Sequence, residues 1–435
     1  MALFYQRKWL LIRLPVAVVA LSAAAWLWLL VYPIPESRIT ITTAGLNGAY
    51  YRLAMKYAQS FAKHGITLEV QASDGSTENL QRLRAFTNQS DLALMQGGFG
   101  FLGNSNERQD LSRVQTLANV DTEVVWLFSR VKDLTSLNQL KGLRIAVGAN
   151  GSGSRKVALK LFEQARIDTK DLALSPLMGL DSAEALKLGA VDAIFFVAPA
   201  DSNTLAATLN VPGVHLANLS KSPAVVERNP YLESTLLAKD SLKAGLPYKD
   251  VTLLTTSASL VARESLNPAL KRLAVAVAMD VHNYGGLLYR AGDFPSLRRI
   301  DFPIAPDARK TLLQGLPLAE RLLPFWWAQV LERLLFIVLP IALIALVLML
   351  KIPSFLRWTI ESKLNRWYGE LKFIENDLNQ KSMSGLDLTR FLSSLNTLDK
   401  SLRAFRSPKD LMARTYTLHQ HVEFVRQRVY KLRGR

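Results

Sequence analysis

Hydrophobic and polar positions divide this chain of 435 residues into stretches of different pattern. Two long runs contain no charged residue, one at residues 14–35 and one at residues 334–350. Between the runs, short β-rich segments alternate with amphipathic helical patterns, which predicts an α/β domain. After the second run, apolar residues recur every three or four positions, which is typical of helices. The predicted parts are residues 1–35, 36–325, 326–352 and 353–435.

The first uncharged run predicts a membrane anchor. Residues 14–32 are numerous enough to cross a hydrocarbon core of ~30 Å as a helix. A cleaved signal peptide is the alternative, because residues 23–25 are alanines that resemble a small-residue cleavage site. The apolar run continues past these alanines through residues 26–30, where a signal peptide would have ended. We therefore expect a retained transmembrane helix within residues 1–35.

The second uncharged run predicts a second transmembrane helix. Its 17 residues, bounded by a basic residue at each end, lie at the low end of the spanning range. Trp326 and Trp327 precede the run, as expected of aromatic residues at a membrane interface. A buried core helix is the alternative, but few helices of soluble proteins are apolar all round.

The net charge raises the question of a nucleic-acid partner. Lys and Arg number 53 and Asp and Glu 36, which gives +17, and such a charge points to nucleic acid or to an anionic membrane. Counted along the sequence, residues 1–35 contribute +3, residues 36–350 contribute +5 and residues 351–435 contribute +9. Because most of the charge lies in the two tails, we expect no nucleic-acid partner.

The location of the basic residues predicts the topology instead. They cluster before the first apolar run and after the second, so the positive-inside rule places both termini in the cytoplasm. The chain would then be a two-pass protein of the inner (cytoplasmic) membrane of a bacterial cell, with residues 36–325 in the periplasm. Basic residues beside a span also suit the anionic head groups of the lipid bilayer.

The chain shows no pattern of catalytic or metal-binding residues. It has no cysteine, which excludes disulfides, Cys-ligated metals and thiol nucleophiles. None of its five histidines has the spacing of a metal motif, so we expect surface or packing roles for them. The loop at residues 148–154 begins like a phosphate-binding loop, but Ser154 and Arg155 stand where Lys and then Ser or Thr are required. We predict no enzyme activity, no metal and no cofactor.

A succession of strand, loop and helix occurs twice in the middle stretch. The first copy lies at residues 39–95 and the second at residues 143–197, and in both a glycine-containing loop follows the first strand. The motif around Asp91 has its counterpart around Asp192. Two such units predict two similar α/β lobes, the second over about residues 128–213.

The two glycine loops indicate a ligand cleft between the lobes. A helix that begins after a strand presents unpaired N–H groups and its positive dipole end, which suits a carboxylate or other anion. For either loop alone, a plain tight turn is the alternative, but the paired occurrence favours a cleft. The β-rich stretches at residues 123–130 and 214–219 are predicted to cross between the lobes and to form a hinge.

Five motifs of this stretch resemble those of the TAXI family, the extracytoplasmic solute-binding subunits of tripartite (TRAP-type) transporters. They occur in the family's order and cover about residues 39–305. The motifs are TAGLNGAYY at 43–51, GSTENL at 75–80, SDLALMQ at 90–96, VGANGSGS at 147–154 and VDAIFFV at 191–197.

The resemblance implies a two-lobed periplasmic-binding-protein fold of type II and a small-molecule ligand. The implied ligand is a carboxylate or amino acid, such as glutamate or a dicarboxylate, and the implied partners are the membrane permease subunits of a TRAP-type transporter. The residues that match the family's cleft are Gly45, Asn47, Gly48, Tyr50, Ser76, Asn79, Gly151, Ser152, Gly153 and Ser154.

The chain departs from the family pattern at four positions. Leu46 and Ala49 stand where the family favours threonines, so two hydroxyl groups of the first loop are absent. Trp126 stands where a smaller or polar residue is common. Arg52 replaces a usual proline, and its guanidinium is either a partner for a ligand carboxylate or a solvated group on a helix face.

The last part of the chain predicts three amphipathic helices. Apolar stripes run from Leu364 to Leu378, from Phe391 to Phe405 and from Leu411 to Leu432. Such stripes form either a three-helix bundle or a coiled coil with another chain. Ordinary solute-binding subunits have no such tail. Beside a membrane-anchored solute-binding protein, the sequence therefore leaves open a transmembrane ligand sensor that signals through the tail.

Overall fold

The computed structural model describes residues 2–31, 33–46, 48–85, 87, 89–102, 113–219, 222–380, 385–407 and 411–433. The chain forms two compact units, each of which is described by itself. The α/β unit is Tyr32–Arg333, and the helical unit combines Met1–Val31 with Leu334–Arg435.

Strands and helices alternate through most of the α/β unit. Its strands are β1 Arg38–Thr42, β2 Thr67–Gln71, β3 Leu92–Gln96, β4 Val114–Ser129, β5 Arg144–Ala146, β6 Ala173–Ser175, β7 Ala193–Ala198, β8 His215–Leu216, β9 Glu233–Leu237 and β10 Val251–Arg263. The α-helices of the whole chain are α1 Ala2–Val31, α2 Ala49–Ala62, α3 Ser76–Arg84, α4 Phe99–Leu102, α5 Gly153–Gln164, α6 Gly179–Lys187, α7 Asn203–Thr208, α8 Ser222–Arg228, α9 Pro268–Val281, α10 Pro306–Gln314, α11 Leu318–Leu322, α12 Phe325–Arg333, α13 Leu339–Gln380, α14 Gly385–Ala404 and α15 Met412–Arg433.

The strands form one sheet with a similar arrangement at its two ends. Eight strands run in the order β2-β1-β3-β10-β4-β7-β5-β6, while β8 pairs with β4 and β9 with β10. Strand β1 is parallel to both β2 and β3, and β5 is parallel to both β6 and β7. We call β1–β3 with α2 and α3 the first lobe, and β5–β7 with α5 and α6 the second lobe. The predicted duplicated α/β fold is confirmed.

An aspartate performs the same task in each lobe. Asp91 Oδ2 accepts a hydrogen bond from Thr40 N at 2.7 Å, and Asp192 Oδ2 accepts one from Arg144 N at 2.9 Å. Both aspartates directly precede the third strand of their lobe and hold it to the start of the first strand. The matching sequence motifs therefore reflect a repeated structural contact.

Two long strands are shared by the lobes. The first part of β4 pairs with β10, and residues 124–129 of β4 pair with β7. Strand β10 pairs with β3 through residues 258–262 and with β9 through residues 251–255. The prediction that residues 123–130 cross between the lobes is confirmed in β4.

The second crossing strand differs from the prediction. Residues 214–219 were expected to cross, but the short β8 within them pairs only with Phe128 and Ser129 of β4. The second crossing strand is β10, and the prediction at 214–219 is wrong. Most of β10 is buried on both faces, so its sequence lacks the alternation that identifies a half-exposed strand.

Trp126 belongs to the core of the second lobe. Its side chain is fully buried, and its Nε1 donates a hydrogen bond to Ala198 O at 3.0 Å. It stacks with Phe128 at a centroid distance of 6.1 Å. The large aromatic residue at this position therefore fills a core and does not line the cavity between the lobes.

His282 is a packing residue of the first-lobe core, as predicted for the histidines. The imidazole is 4% exposed, and its Nε2 lies 3.0 Å from the Tyr57 hydroxyl. Burial, with a smaller effect of Lys56, lowers the pKa of His282 to about 4. The folded protein therefore holds this side chain neutral at pH 7.

The helical unit begins with α1 and resumes after the α/β unit. A π-helical turn, Leu334–Val338, precedes α13, and α1 contacts both the turn and α13. Pro340 lies in the first turn of α13. Since proline has no N–H, the usual bond to the preceding turn is missing there, which favours local widening of the helix.

One helical stretch has the length and composition of a membrane span. Within the part of the chain that the structure describes, this stretch is Phe325–Asn379, and it includes the predicted span at 326–352. The N-terminal helix contains a shorter apolar segment, Leu14–Trp28. The two-span topology stays a prediction.

The three apolar stripes of the tail bury one another. Leu371, Leu395 and Val425 represent the three helices in this core, in which each is less than 5% exposed. Asp399 also lies in the bundle, where it pairs with Arg426 at 3.0 Å. Of the two predicted arrangements, packing within one chain is the one observed.

We expect acid to destabilise the fold through His282. The unfolded chain binds a proton on this imidazole near the usual pKa of 6.5, whereas the folded chain binds it only near pH 4. The free energy of unfolding therefore falls as the pH decreases between these values. In His282→Gln, the loss between pH 6.5 and 4.5 should be smaller by about 2 kcal/mol.

Denaturant unfolding of the purified full-length chain at both pH values measures this difference. His64→Gln, which changes an exposed histidine, is the matched control and should behave like the wild type. An identical pH dependence of wild type and His282→Gln would contradict the assignment.

Candidate ligand-binding site

Loops from both lobes surround one cavity of about 340 Å³. The loops follow the carboxyl ends of the parallel strands, which is where α/β sheets usually bind ligands. The crossing strand β4 contributes Glu123. The other lining residues are Ala44, Gly45, Leu46, Gly48, Ala49, Tyr50, Asp74, Gly75, Ser76 and Gln96 of the first lobe's side, and Gly148, Ser152, Gly153, Ser154, Leu177, Met178, Gly179, Leu180, Asp181, Ser182, Phe195, Phe196, Val197, Ala198, Pro199, Ser202, Asn203 and Thr204 of the second lobe's side.

Five helices begin at this cavity, two from each lobe and α7, which follows the second lobe. The residues that precede their first turns, Gly48, Gly75, Ser152, Met178 and Ser202, all line it. Ser152 and Ser202 cap their helices with their side chains. The cavity therefore collects positive dipole ends and backbone donors from both lobes.

The second glycine loop shows why glycine is needed locally. Gly148 has a φ of +95°, and a Cβ there would lie 2.7 Å from Ser152 Oγ. Glycine therefore allows the chain to leave β5 and turn so that Ser152 reaches the start of α5.

The structure brings seven of the ten predicted site residues together. They are Gly45, Gly48, Tyr50, Ser76, Ser152, Gly153 and Ser154. Asn79 is buried beside the cavity, where its Nδ2 donates to Thr43 O and Leu94 O. Gly151 lies outside the lining and accepts a hydrogen bond from Thr77. Asn47 lies outside the described residues.

Serine hydroxyls provide hydrogen-bond donors to the cavity. Ser76 Oγ accepts from Gln96 N, and Ser154 Oγ accepts from Val197 N, each at 3.0 Å. Ser202 Oγ accepts from Leu205 N at 3.3 Å. Since each oxygen already accepts a hydrogen bond from the backbone, its hydroxyl hydrogen is available to donate. An acceptor group of a ligand in the cavity is a suitable partner for it.

Gln96 adds an amide donor. Its side chain lines the cavity and is 5% exposed, and its Nε2 has no hydrogen-bond partner among the described residues. A buried donor without a partner is costly, so this amide is suited to a ligand oxygen. The resemblance did not carry a role for Gln96, although the residue ends the quoted motif at 90–96.

Glu123 is the main functional candidate that the sequence did not identify. It is 4% exposed, and its Oε2 accepts a hydrogen bond from the Tyr50 hydroxyl at 2.9 Å. Burial raises the pKa of Glu123 to about 8, against the opposing effect of the Tyr50 hydrogen bond. The sequence contained a feature that could have identified Glu123, because this acidic residue begins the β-rich stretch that was predicted to cross between the lobes.

The charged residues of the lining are acidic. They are Asp74, Glu123 and Asp181, and the described lining contains no Lys, Arg or His. Arg52 is exposed on α2 and is not part of the lining, which corresponds to the solvated alternative. A ligand anion would therefore be held by N–H and O–H groups without a cationic side chain from the described lining.

The lobes touch beside the cavity. Thr77 Oγ1, in the first lobe, donates to Gly151 O, next to the second lobe's α5, at 2.6 Å. The ammonium group of Lys156 in α5 lies 4.7 Å from the centre of the Phe99 ring in α4. These contacts join the two sides of the cavity, and we call the arrangement in which they form the closed arrangement of the lobes.

Gly153 permits a close approach between the two sides. A Cβ at this position would lie 2.5 Å from Gln96 Oε1 and 3.1 Å from Gln96 Cβ. Because Gln96 is itself buried, a side chain at residue 153 would keep the lobes apart.

Two α/β lobes, two shared strands and a cavity at five helix starts define the fold of a two-lobed solute-binding protein. The family model described as the NMT1-like family matches residues 41–276, more than half of the chain. The chain belongs to the NMT1-like family. The TAXI subtype stays a prediction.

Several solved structures are similar to the chain at low identity. The periplasmic aliphatic sulphonate binding protein SsuA from Escherichia coli is 17% identical, with 57% of this chain and 73% of that chain covered and a TM-score of 0.35. A protein from Bordetella bronchiseptica RB50 is 15% identical, with 65% and 91% covered and a TM-score of 0.39. The alkanesulfonate-binding protein SsuA from Xanthomonas axonopodis pv. citri, bound to MOPS, is 15% identical, with 57% and 74% covered and a TM-score of 0.34.

We expect Gly153→Val to weaken ligand binding at least tenfold. The added side chain would overlap Gln96 in the closed arrangement. Backbone strain is not expected, because the φ of Gly153 lies outside the left-handed region that favours glycine. Isothermal titration calorimetry with the best ligand of the screen described below measures the affinity.

The matched control is Gly45→Ala, which adds a methyl group to the same cavity where no atom lies within 4 Å. Its affinity should stay within about threefold of the wild type. An unchanged affinity of Gly153→Val would show that the lobes do not close as described.

Proposed function

We propose that this protein is a membrane-anchored solute-binding protein. Its two lobes capture a small organic molecule in the cavity between them, and the protein delivers that molecule to a separate membrane permease. The chain carries no pattern of catalytic residues, so binding and release are the proposed activity.

One observation carries the proposal. A single cavity receives helix starts from both duplicated lobes, and two shared strands join those lobes. Such strands let two rigid lobes approach or separate around a ligand. The contacts of Thr77 and Lys156 across the lobes support the closed form of this cycle.

The proposed ligand carries at least one hydrogen-bond acceptor. The hydroxyls of Ser76 and Ser154 and the amide of Gln96 supply donors that suit a carboxylate or carbonyl oxygen. The resemblance to the TAXI family implies an amino acid or carboxylate, with glutamate as one example. The donor-rich cavity supports this ligand class.

The proposed location is the inner membrane, with the α/β unit in the periplasm and both termini in the cytoplasm. The apolar helix within Phe325–Asn379 and the apolar segment Leu14–Trp28 support two spans. The charge of the flanking residues supports the orientation. The proposed recipient is a TRAP-type permease, on the resemblance of the five motifs.

We expect a thermal-shift screen to identify a stabilising ligand. A ligand that binds only the folded state, at one hundred times its Kd, stabilises by about 2.7 kcal/mol and raises the Tm by several degrees. The screen uses the full-length chain with amino acids and with mono- and dicarboxylates.

Gly153→Val provides the control, since the same compound should give little shift when closure is blocked. A cell that lacks the protein should also take up the identified compound more slowly. If no compound of these classes stabilises the protein, the proposed function is wrong.

A further inference from the structure

Glu123 is a buried carboxyl group whose position serves the cavity. It belongs to the crossing strand β4 and lines the cavity, with 4% of its surface exposed. Among the described residues, the Tyr50 hydroxyl is its side-chain hydrogen-bond partner, and no ion pair to Glu123 is present. A buried acid without a cationic partner is costly to ionise, and a cation on a bound ligand would offset that cost.

Two other buried acids of the α/β unit have cationic partners. Asp91 pairs with Arg263 at 2.7 Å, and Glu320 pairs with Arg272 at 2.5 Å. A third buried acid, Asp301, accepts hydrogen bonds from backbone N–H groups of α4 and the residue before it. Each of these acids is therefore held by fixed partners of the fold. Glu123 differs in that it faces a cavity large enough for a small molecule.

The rest of the cavity has the opposite hydrogen-bonding character. Ser76, Ser154 and Gln96 offer donors, and the helix starts add backbone N–H groups. A ligand with acceptors alone would satisfy these donors and would accept a hydrogen bond from protonated Glu123, but it would form no ion pair there. A ligand with both an acceptor group and a cationic nitrogen satisfies both sides.

We propose that Glu123, supported by Tyr50, is the specificity-determining residue that binds a protonated amine of the ligand. The preferred ligand is then a small amine-bearing compound with an oxygen acceptor at its other end, and plain carboxylates of the same length bind less tightly. This inference rests on the proposed function, because it concerns the same cavity.

Binding of an amine should release a proton from Glu123. Its pKa of about 8 means that the empty cavity holds the neutral acid at pH 7, while the bound amine favours the carboxylate. The titratable groups around it are Tyr50 of α2, Asp121 of the same strand, and the lining residues Asp74 and Asp181. Affinity for the amine should therefore rise between pH 6 and pH 8.

The test compares ligands that differ only by the amine. The probes are glutamate against glutarate, alanine against propionate and leucine against 4-methylpentanoate, titrated calorimetrically into the full-length chain. In the wild type, the amino compound of the pair that binds should have an affinity at least one hundred times higher than its partner. Titrations in buffers of different ionisation enthalpy should show nearly one proton released at pH 7.

Glu123→Gln is the decisive variant. Glutamine keeps an oxygen that accepts from Tyr50, so the fold is retained, but the preference for the amine should fall below tenfold and the proton release should disappear. The matched control is Asp121→Asn, two residues along the same strand and outside the described lining. It should keep the preference, and its proton release should fall only in part, because burial raises the pKa of Glu123 more than the charge of Asp121 does.

The outcomes separate this inference from the proposed function. Equal binding of a carboxylate and its amino form, or an undiminished preference in Glu123→Gln, overturns the role of Glu123 while small-molecule binding stands. If neither class binds the wild type, both the inference and the proposed function are wrong.

Discussion

The pairing of β4 with β10 is the interaction on which the rest of the structure depends. Residues 114–125 of β4 pair with residues 254–263 of β10, and the two strands then continue into the second lobe through β7 and β9. Register shifts interrupt this ladder at residues 258–261, and irregularities of this kind bend a strand. The shared ladder fixes which loops face each other, and it places Glu123 between them.

The cavity keeps polar groups that a purely structural core would neutralise. Asp91 is paired with Arg263 elsewhere in the unit. Among the described residues, Glu123 has no ion pair, and Gln96 Nε2 has no hydrogen-bond partner. The N-termini of helices from both lobes lie at the same cavity. These groups reduce stability when the cavity is empty, and a ligand of complementary polarity removes that cost.

Much of each lobe was predictable because its pattern is local. Strand, loop and helix follow one another within about fifty residues, so both glycine loops were identified from the sequence, and Gly48 and Ser152 of these loops line the cavity. The second crossing strand was missed because β10 is buried on both faces and distant along the chain. Asn79 was expected to contact the ligand, but its amide bonds the backbone of Thr43 and Leu94. Glu123 required knowledge of which strand crosses beside the cavity, which only the long-range pairing provides.

If the two lobes close around a ligand, the distance between them changes on binding, and this distance is the most direct measure of closure. The chain has no cysteine, so His64→Cys and Lys170→Cys, both exposed and in different lobes, provide unique sites for spin labels. Double electron–electron resonance then measures the distance between the labels with and without the best ligand of the screen. We expect a broad distribution of distances in the empty protein that narrows to one short distance on binding. A distance distribution that is the same in both samples would contradict it.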